Sequence, residues 1–111
     1  MLGNNLIKTD VENTNKDNNA FHLEQNYPNP FNPSTKIKYK IDGHSGQSVH
    51  VEIKIYDLTG REVTTLVNQE KTGGEHEIEF DAAKYGLCSG VYFYQIIAGN
   101  FKSTKKMMIL K

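Results

Sequence analysis

Apolar and polar residues alternate with a period of two along most of the chain. In residues 36–41, Ile37, Tyr39 and Ile41 interleave with Lys36, Lys38 and Lys40, which predicts a strand with one core face and one solvated face. Residues 49–56 repeat the pattern with Val49, Val51, Ile53 and Ile55. Residues 62–67 break it, because Val63 and Leu66 are three apart, and this spacing predicts a bulge or strong twist. Residues 75–80 place His76, Ile78 and Phe80 on one face. Residues 91–97 (VYFYQII) carry no charge and no proline, so they belong in the middle of a sheet, paired on both sides. The last strand, residues 101–111, holds Lys102, Lys105, Lys106 and Lys111 and no acid, a composition that protects an edge.

Turn residues punctuate these runs. Residues 42–46 are turn-rich, residues 57–60 form a tight turn, and residues 71–74 turn the chain again as a hairpin. Residues 81–89 read as a crossing loop, and Gly99-Asn100 as a two-residue hairpin. Counting a short segment around Leu23, about seven strands and no amphipathic helix emerge. The expected fold is all-β, an immunoglobulin-like antiparallel sandwich.

The segment before the first long strand is unlike the rest. Pro28, Pro30 and Pro33, all the prolines of the protein, fall within six positions. Each removes an N–H and biases the residue before it to extended backbone, so neither helix nor central strand is expected. Asn29 and Asn32 are expected to accept from the N–H groups of Phe31 and Ser34 in Asx turns, with Tyr27 and Phe31 anchoring the loop. Residues 1–20 contain six Asn and few large apolar groups, so they read as a flexible tail or linker ahead of one domain at 21–111. The tail lacks the basic start and apolar run of a signal peptide, which leaves a cytoplasmic start or a piece of a longer exported protein. Its linker-like composition favours the second.

Composition narrows function mainly by exclusion. The 111 residues carry 13 basic and 13 acidic groups, a balance unsuited to nucleic acid. No apolar run is long enough for a transmembrane span. The single cysteine, Cys88, offers no internal disulfide and reads as a semi-buried small residue. His22, His44, His50 and His76 lack metal-ligand spacing, though His44 and His50 flank one loop. Lys71-Thr72-Gly73 and Ser103-Thr104-Lys105-Lys106 each imitate fragments of penicillin-binding enzymes, but in reversed order and without the helices that chemistry needs. Asp57-Leu58-Thr59-Gly60 has no second acid to form a dyad. No enzyme, metal or cofactor is expected.

One resemblance is specific. Residues 23–35 (LEQNYPNPFNPST) closely resemble the opening of type A C-terminal sorting domains of the type IX secretion system. Residues 53–63, 89–94, 98–99 and 105–111 are similar to later motifs of that family, so the resemblance spans 21–111. It implies an immunoglobulin-like module that directs a covalently fused N-terminal cargo through the outer membrane. The implied partners are the outer-membrane translocon and its cargo-handling proteins. The implied route is periplasm in transit, then release or the cell surface. By resemblance, the recognition residues are Asn26, Pro28, Asn29, Pro30, Phe31, Asn32, Pro33, Gly90, Tyr92, Gly99, Lys106, Leu110 and Lys111. Removing residues 109–111 is expected to abolish export while leaving a folded precursor. A structural or adhesive surface module, with self-association left open, is the alternative; a sugar-binding domain, with Tyr85 as its loop aromatic, is the third reading.

Overall fold

The computed structural model describes residues 21–42 and 48–111. The tail expected over 1–20, most of the loop expected over 42–46, and His44 lie outside them. Among the described residues seven strands run in order: β1 (His22–Leu23), β2 (Ser34–Ile41), β3 (Ser48–Tyr56), β4 (Glu62–Thr72), β5 (Gly74–Asp81), β6 (Gly90–Ala98) and β7 (Phe101–Ile109). They form two antiparallel sheets, β1-β2-β5 and β4-β3-β6-β7, consistent with a β-sandwich.

The period of two sets which side chains meet between the sheets. Thr35, Ile37, Tyr39 and Ile41 of β2 point inward, as do Val51, Ile53 and Ile55 of β3 and Tyr92, Tyr94 and Ile96 of β6. On the outer face of the smaller sheet, Lys36, Lys38 and Lys40 lie opposite Glu79, Glu77 and Glu75 of β5. A one-residue slip would turn the lysines inward, so burial and cross-strand charge fix one register. Lys36 reaches the diagonal Glu77 at 3.2 Å.

The broken alternation of β4 is two bulges. Ile53 pairs with Val67 but Lys54 with Thr65, leaving Leu66 unopposed; Ile55 pairs with Thr64 but Tyr56 with Glu62, leaving Val63 unopposed. Both extra residues pack against the core. β4 also continues past its expected end to Thr72. Residues 68–70 are exposed, so no burial pattern announces them, and backbone pairing with β3 alone carries the extension.

The turn after β4 corrects an expectation. It is no hairpin: β4 and β5 belong to different sheets, and Gly74, at φ +124°, lies where the chain passes between them. The crossing loop after β5 contains a short 3₁₀ turn, Ala82–Tyr85, capped by the Asp81 carboxylate accepting from the Ala83 N–H at 3.0 Å. β6 is central, between β3 and β7, as its uncharged sequence requires. Ala98 pairs with Phe101 across Gly99-Asn100; only Gly99 has positive φ, as a type II′ turn demands. β7 is the sheet's edge.

The 57–60 turn is built on one carboxylate. Asp57 Oδ1 accepts from the Thr59 N–H, the Thr59 hydroxyl and the Arg61 N–H, while Oδ2 faces the Arg61 guanidinium at 3.3 Å. These bonds, the Thr59 hydroxyl foremost, hold the Asp57 carboxyl down to about 2.

Candidate functional site

The proline-rich segment does not form a free loop; it is laid along the outer edge of β7. The Tyr27 N–H donates to Lys36 O and the Lys36 N–H to Tyr27 O, both at 3.0 Å, which starts the segment against β2. Gln25 Nε2 then donates to Lys106 O at 2.6 Å. The Met108 N–H donates to Asn29 Oδ1 at 2.9 Å. The Phe31 N–H donates to Met108 O at 3.1 Å, and the Leu110 N–H to Phe31 O at 3.0 Å. Phe31 thus makes a parallel bridge to Ile109, occupying for one residue the place of a further strand. All three X–Pro bonds are cis.

Two expectations about this segment are corrected. Asn29 makes no Asx turn with Phe31, because its oxygen takes the Met108 N–H and the Phe31 N–H goes to Met108. Among the described residues, no bond joins Asn32 to the Ser34 N–H either. Phe31 is the anchor expected, 2% exposed and edge-on to Phe80 with centroids 6.0 Å apart. Tyr27 is not: it is 81% exposed, because its backbone pairs with Lys36 while the neighbouring Asn26 takes the inward position.

Asn26 is the centre of a buried polar knot. Its N–H donates to the Tyr94 hydroxyl at 2.7 Å, and its Nδ2 donates to Thr35 Oγ1 at 3.0 Å and Pro28 O at 3.1 Å. The Thr35 hydroxyl donates to Pro28 O at 2.8 Å, and the Tyr94 hydroxyl donates to Glu24 O at 2.6 Å. No buried side-chain nitrogen or oxygen among the described residues lacks a partner. Burial pushes the Tyr94 phenol up to about 12, with the Glu24 charge adding and the Asn26 N–H opposing.

Tyr94→Phe therefore leaves the Asn26 N–H buried without an acceptor, an expected cost of about 1–3 kcal/mol in denaturant unfolding at neutral pH. The phenol's preference for its neutral form in the fold contributes fully below pH 10. It is lost as pH rises toward 12. Tyr94→Phe should lack that alkaline loss, which thermal unfolding from pH 9 to 12 checks.

Most of the residues implicated by sequence converge on one end of the sandwich. Gly90 lies opposite Ile109 and Tyr92 opposite Met107, and the Tyr92 hydroxyl donates to Cys88 O at 2.9 Å. Pro33 O accepts from the Ala82 N–H, and the Lys111 N–H donates to Ser89 Oγ. Pro30, Asn32, Lys106 and Leu110 are exposed there. Gly99 does not join them, because it turns the β6–β7 hairpin at its opposite end. Sequence reasoning passed over Gln25, Thr35 and Tyr94. For Tyr94 a signal exists, since an inward tyrosine in a core strand needs a partner for its hydroxyl. Gln25 carries none.

The terminal strand is also less separable than expected. Met107 and Ile109 are core residues, and only Met108 and Leu110 present apolar surface outward. Cys88 is exposed, not semi-buried, in a loop that leaves its side chain in solvent. His50 bonds Asn68 and faces Glu70, while His76 bonds Thr72 O and stacks on Tyr39. Among the described residues, no group of three or more His, Cys, Asp or Glu could hold a metal ion. No helix among them is long and apolar enough to cross a membrane. The arrangement can present backbone, lysines and a shaped loop to another macromolecule.

A family model for a secretion system C-terminal sorting domain matches residues 25–110. The match opens at Gln25, whose side chain bonds Lys106 O of β7, and closes at Leu110, which is bonded to Phe31. No curated protein matches the chain.

Proposed function

Because the chain belongs to the family of secretion system C-terminal sorting domains, those of type IX secretion, we propose that residues 21–111 are a folded address. They carry an N-terminally fused cargo through the outer-membrane translocon, from the periplasm to the medium or the cell surface. Residues 1–20 serve as the tether. The module is not an enzyme in this reading, and its partners are the translocon and the proteins that hand cargo to it.

The observation that carries this reading is the coincidence of the family match with the clasp of Gln25, Asn29 and Phe31 on the last strand. The clasp makes one rigid surface from the segments nearest the two ends of the matched stretch. A translocon that must read a folded signal needs such a surface. Asn26, Pro28, Asn29, Pro30, Phe31, Asn32 and Pro33 shape it, and Gly90, Tyr92, Lys106, Leu110 and Lys111 border it.

The test is a secreted reporter fused ahead of residues 21–111 and expressed in a bacterium with a type IX system. The reporter should reach the medium or surface, and should stay in the periplasm when the translocon gene is deleted. Equal export without residues 21–111 would overturn the reading.

A further inference from the structure

The clasp covers only half of the β7 edge. Phe101, Ser103, Lys105, Met107 and Ile109 face β6, because the Ala98–Phe101 pair closes the two-residue hairpin. The backbone groups of the even-numbered residues therefore point away from the sheet. Along Lys106 to Leu110 the clasp bonds them: Lys106 O, both groups of Met108, and the Leu110 N–H. From Lys102 to the Lys106 N–H, β7 has β6 as its strand neighbour and, among the described residues, no strand or bridge partner on the other side.

The open half differs in charge from the rest of the molecule. Lys102, Lys105 and Lys106 stand there without an acid in the strand, and none of them forms an ion pair among the described residues. Elsewhere, Lys36 pairs with Glu77 and Lys54 with Glu62, and Lys38 and Lys40 lie opposite Glu77 and Glu75. Lysines on an edge repel indiscriminate strands, and the same lysines select a strand that brings carboxylates. The Phe31 bridge shows that a chain can lie in register beside β7, and the open half continues that line.

We infer that the Lys102–Lys106 edge of β7 is a docking site for one extended, acidic segment of the type IX machinery, which adds to the sheet as a strand beside it. This rests on the proposed sorting function and names the surface used. Carboxylates at alternate positions of the added strand would stand beside Lys102 and Lys106 on the outer face.

Thr104→Pro tests it. Proline at this position removes an outward N–H and no ladder bond, so an edge strand tolerates it, and every lysine stays. In the export assay, Thr104→Pro should keep its cooperative unfolding and lose export at least tenfold. The Lys102→Glu/Lys106→Glu double variant should lose export similarly. A folded Thr104→Pro exported like the parent overturns strand addition, even if the glutamate variant is impaired. If Thr104→Pro does not fold, the double variant decides: folded and fully exported, it overturns the site, and tenfold impaired, it supports it. Deleting residues 21–111 in the same strain separates the two ideas, because export that survives deletion sinks the sorting function itself.

Discussion

Phe31→Ala is expected to lower stability by about 3–5 kcal/mol, the usual range for removing a buried aromatic side chain. Three features place it at the upper end of point-mutation effects. Its ring is 2% exposed and meets Phe80 edge-on, and Tyr85 in turn stacks on Phe80 at 5.7 Å. Its N–H and carbonyl hold Met108 and Leu110. The ring and the two bonds act together, because the backbone stays against β7 only while the side chain fixes the loop. Urea unfolding of Phe31→Ala and Tyr27→Ala provides the contrast: the exposed Tyr27 should change stability by less than about 0.5 kcal/mol. Equal effects at the two positions would mean that the segment is not anchored as described.

Amide hydrogen exchange reads the second half of the same prediction. Met108 and Leu110 N–H groups are protected by Asn29 and Phe31, whereas the Thr104 N–H faces solvent. Phe31→Ala should release Met108 and Leu110 toward the exchange rate of Thr104.

The two aromatic neighbours of the prolines also show where sequence reasoning stops. Alternation identifies an inward side chain only while the backbone keeps a strand's period, as it does from Thr35 to Ile41. Through Pro28, Pro30 and Pro33 that period is lost, so nothing local says that Phe31 turns in and Tyr27 out. The bulges of β4 were legible because they disturb a period, at Val63 and Leu66. Its extension to Thr72 was not, because an edge strand with exposed residues leaves no periodic trace.

The candidate site divides in the same way. Its residue types stood out in the sequence as a cluster of Asn and Pro and a lysine-rich last strand. Their mutual bonds did not, since Gln25 and Lys106, or Asn29 and Met108, are 81 and 79 residues apart. Contacts at that separation depend on which sheet edges the sandwich leaves side by side. They belong to topology, which short-range pattern does not encode.

Removing residues 109–111 is the second large effect, and it changes what a truncation phenotype can mean. Ile109 is 1% exposed, pairs with Gly90 and bridges Phe31. Losing its side chain alone costs about 2–5 kcal/mol, and the truncation also removes the Leu110 bond to Phe31 and the Lys111 bond to Ser89. A domain of this size has about 5–15 kcal/mol in total, so the three-residue truncation should unfold at markedly lower urea or fail to fold. Stopping the chain after Ile109 removes only exposed side chains and two hydrogen bonds, with an expected loss of about 1–2 kcal/mol. Unfolding midpoints for the two truncations, measured beside export, separate the causes. If export falls only in the longer truncation, loss of fold explains it. If it falls equally in both, Leu110 and Lys111 are themselves read by the machinery. Unchanged stability in the longer truncation would instead refute the placement of Ile109 in the core and, with it, the clasp that holds the last strand.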